Sequence, residues 1–174
     1  MVKTKMGKTY CYEDFITDEE RIIIKDWVIE NMSLIRDTTH AYRKMSYFEE
    51  IPNHPECISK IKEKLYSLEY NDLFHPTHNT NNIIVHFAGA NIFTHLDSPI
   101  PYLNDYYKRR YNLIISMAEG GGELIYDGEM FKLKEKSIVC IDAGIIHHST
   151  TVVTGETPRI LLSFGYAIKK LSTF

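Results

Sequence analysis

From Asn82 onward the chain breaks into short β-rich runs, and this pattern constrains its fold more than any other feature. "NIIVHFAG", "NIFTHL", "RYNLIISM", "GELIYDG", "MFKLK", "SIVCID", "HHSTTVVT" and "RILLSFGYAI" follow one another within about ninety residues. Turn residues separate them. Asp127-Gly128 between "ELIY" and "EMFKL" is a two-residue hairpin signal, and "TGET" before Pro158 predicts another turn. These short strands predict an antiparallel, jelly-roll-like sandwich or barrel with a mouth open to ligands.

The first eighty residues read differently. "TDEERIIIKDWVIENM" predicts a helix capped by Thr17, with Glu20 three residues on and Asp18 and Glu19 at the positive end of the dipole. Its apolar face is read as Ile23, Ile24, Trp27 and Val28. "NHPECISKIKEKLYSLEY" predicts a second helix, with Pro55 in its first turn and Ile58, Ile61, Leu65 and Leu68 at 3–4 spacing. "HPTHNTNN" reads as a loop. The expectation is an α+β chain forming one domain over residues 1–174: a mainly helical part to residue 80, packed on a jelly-roll core over 81–170.

Bulk properties narrow the function. The chain is 44% hydrophobic and 25% charged with a net charge of −3, so a broad cationic surface for nucleic acid is not expected. No apolar run of about 18 residues is present, and the N-terminus lacks the apolar core of a secretory signal. Cys11, Cys57 and Cys140 are odd in number and far apart, the usage of reduced thiols in a cytoplasmic protein.

Chemistry-bearing residues fall at the strand ends. His95 and Asp97 close an early strand within "THLDS". Fifty-two residues after His95 comes "IIHHSTTVV", with His147 and His148 at a strand boundary, and twelve residues past His147 Arg159 opens the last long strand. Two imidazoles and one carboxylate on one face of a metal, with the remaining positions open, suit non-haem Fe(II) chemistry. An arginine inside such a barrel suits a carboxylate, because it stays charged and binds bidentately.

With these residues in this order, residues 82–168 resemble the Fe(II)- and 2-oxoglutarate-dependent dioxygenases of the double-stranded β-helix fold, and within them the prolyl 4-hydroxylase-like group. The motifs are "FAGANIFTHLDS", "RRYNLIISMAEGGGELIYDG", "IDAGIIHHSTTVVTG" and "PRILLSFGY". The resemblance implies Fe(II) held by His95, Asp97 and one of the adjacent pair. His147 is preferred on the family's spacing of an apolar residue at +5 (Val152) and a glycine at +8 (Gly155), with His148 as the alternative. It further implies that Arg159 binds the distal carboxylate of 2-oxoglutarate and that Asn112 lies near that co-substrate. The implied reaction uses O2 to hydroxylate an unactivated C–H bond, while 2-oxoglutarate becomes succinate and CO2. Because Asp97 is present, hydroxylation (or a related desaturation or cyclisation) is favoured over halogenation.

Other residues have blander readings. His75 and His78 read as a solvated loop, His86 as a strand residue facing core or cavity, and Gly120–Gly122 as a flexible hairpin. Tyr102, Tyr106 and Tyr107 serve as packing or as a lid. Arg109 and Arg110 are either solvated charges or recognise a substrate carboxylate. The short chain favours a free amino acid or other small molecule as substrate. A prolyl-type peptide hydroxylase is the alternative, and so is a cupin-like module that binds a metal or small molecule without oxidising it. Arg159 argues against an isomerase on the same barrel.

Overall fold

The computed structural model of the chain describes residues 1–68 and 74–170, without the side chains of residues 76 and 77. In chain order the elements are β1 (Val2–Met6), β2 (Thr9–Glu13), α1 (Asp18–Glu30), β3 (Arg43–Tyr47), α2 (Glu56–Leu68), β4 (Phe74–His86), β5 (Ile92–His95), β6 (Tyr106–Ser116), β7 (Leu124–Tyr126), β8 (Glu129–Phe131), β9 (Ile138–Ile141), β10 (His148–Thr150) and β11 (Arg159–Lys169). They form a seven-stranded sheet, β1-β2-β9-β6-β11-β4-β3, and a four-stranded sheet, β5-β10-β7-β8. The pairings are antiparallel. This is the expected α+β jelly roll.

Strand alternation divides the large sheet into two chemistries. On β11, Ile160, Leu162, Phe164 and Tyr166 join the core shared with the helices, as do Tyr111, Leu113 and Ile115 of β6 and Ile83 and Val85 of β4. The intervening residues turn to the barrel interior, where Ile114, Val139, Ile141 and Leu161 pack with Leu124 and Tyr126 of the smaller sheet. β11 is therefore buried along both faces, and its ladder runs against β4 on one side and β6 on the other.

The helices brace the outer face. Thr17 caps α1: its Oγ1 accepts from the Glu20 N–H at 3.1 Å, and the Glu20 carboxylate accepts from the Thr17 N–H at 2.8 Å. Ile24, Trp27 and Val28 are buried as expected, but Ile23 is 45% exposed. At about 100° per residue, a stripe through 24, 27 and 28 turns residue 23 away from the sheet. In α2, Ile58, Ile61 and Leu65 are buried and Leu68 packs at the margin, while residues 69 and 70 of that predicted helix lie outside the described residues.

Two parts of the first eighty residues differ from expectation. "HPTHNTNN" belongs to β4, not to a loop, because its backbone completes the ladder with β11: Thr80 pairs with Gly165 and Asn79 with Tyr166. Phe74 then pairs with Ile168, so residues 75–78 form a bulge that accommodates Pro76, which has no N–H to donate. The N-terminal part is also less helical than predicted. β1 and β2 form a hairpin that adds to β9, and β3 adds to β4. β1 is an exposed edge strand carrying Lys3 and Lys5, so it shows no apolar alternation and its lysines discourage further pairing.

The two-faced burial of β11 gives a direct test. Leu162 is fully buried between the helices and the sheet. Leu162→Ala is expected to lower the unfolding free energy by about 2–5 kcal/mol in urea denaturation.

Candidate active site

His95 ends β5 and His148 begins β10, and the two residues are register partners across the small sheet. Their rings lie 4.3 Å apart, centroid to centroid. Asp97 follows in the loop after β5, where its N–H donates to the Ala143 carbonyl at 2.8 Å. Its Oδ1 lies 3.6 Å from His95 Nε2 and 3.9 Å from His148 Nε2. The three residues offer ligand atoms that all lie within 4.8 Å of one another, and they are the only such group of three among the described residues.

Backbone carbonyls orient both imidazoles. His95 Nδ1 lies 2.8 Å from the Phe93 carbonyl oxygen and His148 Nδ1 lies 3.4 Å from that of Ile146. Only a protonated Nδ1 can donate there, so both contacts select the tautomer whose Nε2 lone pair faces Asp97. Burial, reinforced by the neighbouring His95, pulls the His148 pKa below the ordinary imidazole range. Its lone pair is therefore available at neutral pH.

Of the adjacent pair, the structure brings the alternative His148 into the cluster and not the preferred His147. His147 is exposed and lies outside the cluster, whereas His148 is buried. Adjacent residues of a strand point to opposite faces, and the pairing with His95 turns His148 inward. Arg159 then lies eleven residues beyond the inward histidine.

Arginine 110 was not recognised in the sequence as a partner of the cluster. Its Nε donates to Asp97 Oδ2 at 2.6 Å, and Nη1 reaches Ser163 Oγ at 3.4 Å. This pair fixes the carboxylate with one oxygen on the guanidinium and the other toward the two histidines. Arg109, on the opposite strand face, bonds Asp142 at 2.6 Å and the Tyr107 hydroxyl at 2.9 Å, so it is neither solvated nor set to bind substrate. Tyr107 packs on the helix-side core, Tyr106 stacks edgewise on His75, and Tyr102 is fully exposed.

One pocket contains the cluster, Arg43, Arg110, Arg159 and Asn112. Arg159 is only 3% exposed, and its Nη1 lies 3.2 Å from His86 Nδ1. Its Nε is buried without a hydrogen-bond partner, as are His86 Nε2 and Asn112 Oδ1. Burial pushes the Arg159 pKa down to about 10, with Glu123 opposing the shift, so the group remains charged at neutral pH. Gly122 makes the enclosure possible: at φ +74° it passes so close that a Cβ would stand 2.7 Å from Arg159 Cδ. His86, read from sequence as core or cavity-facing, lines this pocket beside Arg159.

These residues fit a divalent iron and a dicarboxylate. Two imidazoles and one carboxylate are the donor set for Fe(II), and a buried guanidinium with no salt-bridged carboxylate among the described residues fits a carboxylate ligand.

Two outcomes test this geometry. In equilibrium dialysis with Fe(II) or Mn(II) under anaerobic conditions, His148→Ala is expected to lose metal, whereas His147→Ala keeps wild-type affinity. Burial together with the positive charges of Arg159 and Arg43 lowers the His86 pKa to about 3. Between pH 6.5 and 3 the unfolded chain therefore binds a proton that the folded chain does not. Stability contributed by neutral His86 is complete above pH 6.5 and is lost as pH falls through that window. Urea titrations across it are expected to show a steeper pH slope for wild type than for His86→Gln, by up to about 1.4 kcal/mol per pH unit.

No protein-family model and no curated protein matches the sequence. Solved structures do match its fold. The viral collagen prolyl hydroxylase of Paramecium Bursaria Chlorella virus-1, solved with 2-oxoglutarate, is 16% identical with a TM-score of 0.70, covering 95% of this chain and 98% of that one. A Trichoplax adhaerens prolyl hydroxylase, in complex with a hypoxia inducible factor oxygen degradation domain peptide, is 13% identical with a TM-score of 0.72, covering 90% and 81%. HygX from Streptomyces hygroscopicus, solved with nickel and 2-oxoglutarate, is 8% identical with a TM-score of 0.62, covering 92% and 82%. The chain has the double-stranded β-helix fold of these three proteins, braced by N-terminal helices.

Proposed function

We propose that the protein is a non-haem Fe(II)- and 2-oxoglutarate-dependent oxygenase that hydroxylates an unactivated C–H bond. The observation that carries this reading is one pocket holding both the His95–Asp97–His148 cluster and Arg159, a buried cation that no carboxylate salt-bridges among the described residues. His95, Asp97 and His148 hold Fe(II), and Arg159 binds the distal carboxylate of 2-oxoglutarate with Asn112 beside it. Bound iron and co-substrate supply the oxidising chemistry: O2 and 2-oxoglutarate are consumed, one oxygen atom enters the C–H bond as hydroxyl, the other enters succinate, and CO2 leaves. The chain's own residues do the positioning. Arg110 holds Asp97 Oδ2, and the Phe93 and Ile146 carbonyls fix the imidazoles. The apolar walls of Leu161, Ile84 and Val139 keep bulk water from the interior.

The prolyl hydroxylases among the similar structures favour a prolyl-type peptide substrate over the free small molecule expected from chain length. Among the described residues no helix is long and apolar enough to cross a membrane, and none of the three cysteines is in a disulfide.

Under anaerobic conditions the Fe(II)-loaded protein is expected to develop a visible metal-to-ligand band on adding 2-oxoglutarate. In air, proline-containing peptides are expected to stimulate succinate release. His95→Ala, Asp97→Ala and His148→Ala each lower that release by at least about a hundredfold, and EDTA abolishes it. A protein that binds metal yet shows neither band nor succinate is instead a non-catalytic barrel.

A further inference from the structure

The pocket carries more positive charge than iron and 2-oxoglutarate account for. Its lining side chains include three guanidinium groups, Arg43, Arg110 and Arg159, and one carboxylate, Asp97. Fe(II) adds two positive charges and the 2-oxoglutarate dianion removes two. Two positive charges therefore remain in a partly desolvated cavity, where uncompensated charge is costly.

Arg43 is the group left without an anion. It opens β3 and faces His86 on β4, while His86 faces Arg159 on β11, so the two arginines flank one histidine across three strands. With strands about 4.8 Å apart, their backbones stand about 10 Å apart. Arg159 lines the pocket and is almost fully enclosed. Arg43 lines the same pocket as Asp97 and Arg110. Its Nη2 reaches only the Met45 sulfur at 3.5 Å, and its Nε is shielded from water with no hydrogen-bond partner. No carboxylate pairs with it among the described residues. Arg110, by contrast, is committed to Asp97.

We propose that Arg43 recognises a carboxylate on the primary substrate, so that the molecule oxidised is an acid with its carboxylate close to the reacting carbon. Free amino acids and the C-terminal residue of a short peptide both supply this chemistry. The proposal rests on the Fe(II)/2-oxoglutarate reading, and deepens it by naming what the substrate must present. A guanidinium can donate two parallel N–H···O bonds to a carboxylate, and a neutral amide cannot replace that anion.

The test uses protein loaded with Zn(II) and 2-oxoglutarate, so that binding is measured without turnover. L-proline and glycyl-L-proline are titrated by ligand-observed NMR beside L-prolinamide and glycyl-L-prolinamide. At least one acid is expected to bind about tenfold or more tightly than its amide. Whether the amino acid or the dipeptide binds better identifies the source of the carboxylate. Arg43→Gln is expected to erase the acid preference while leaving 2-oxoglutarate affinity within about twofold, and Arg43→Lys to keep part of the preference. Urea midpoints of both variants verify folding.

Equal binding of acid and amide overturns the proposal, and so does no binding by either. A preference that survives in Arg43→Gln overturns it as well. Loss of 2-oxoglutarate affinity in Arg43→Gln also overturns it, by assigning the residue to the co-substrate. Absence of the anaerobic Fe(II)–2-oxoglutarate band is a different failure: it removes the underlying function and the proposal with it.

Discussion

The antiparallel ladder of β11 is the constraint on which the rest of the molecule depends. This strand lies between β4 and β6 and is buried on both faces, so each residue is committed to one of two environments. Its even-numbered residues Ile160, Leu162, Phe164 and Tyr166 hold the helices, with Phe48 and Tyr66 packing edgewise on Phe164 and Tyr166. Its odd-numbered residues Arg159, Leu161 and Ser163 line the pocket. A one-residue slip would bring Arg159 into the apolar helix interface and Ile160 into the pocket. Helix packing and the chemistry of the cavity are thus set by the same register.

Electrostatics inside the barrel follow from what that register imposes. Arg159 is enclosed by Gly122 and His86 with no salt-bridged carboxylate among the described residues, and His86 stays neutral because burial and two nearby arginines oppose its protonation. A neutral imidazole next to a buried guanidinium adds no further positive charge to a site already rich in it. Asp97 is the one carboxylate lining the pocket, and it is divided between Arg110 through one oxygen and the histidine pair through the other. The lining therefore sets three guanidinium groups against one carboxylate.

Much of this was legible in the sequence. The hairpin at Asp127-Gly128 has both residues at positive φ, as the dipeptide implies, and the capping box of α1 is formed as read. His95, Asp97, Asn112 and Arg159 converge on one pocket. Misreadings arose where an interaction distant in sequence decides the outcome. Polar "HPTHNTNN" became strand because β11 offers it a ladder, which local composition cannot reveal. The choice between His147 and His148 turned on which faces the barrel, a matter of pairing with a residue 53 positions earlier. Arg43 carried no local signal, and Arg110 was singled out only as a solvated charge or a substrate-binding group. Each acquires meaning from a neighbour across the sheet: His86 for Arg43, Asp97 for Arg110.

The central place of β11 has a consequence for the order in which the molecule can assemble. It is the last strand of the described chain, yet it lies between strands formed some fifty and eighty residues earlier. β2 waits in the same way for β9, with Tyr10 pairing to Cys140. Neither half of the large sheet can join the other until residues 159–169 insert between them. Loop-closure entropy must be met before these long-range contacts form, so folding is cooperative, late and slow for a chain of this size. Arg159 enters with that strand. The part of the pocket that Arg159 lines therefore forms in the same step that closes the sheet.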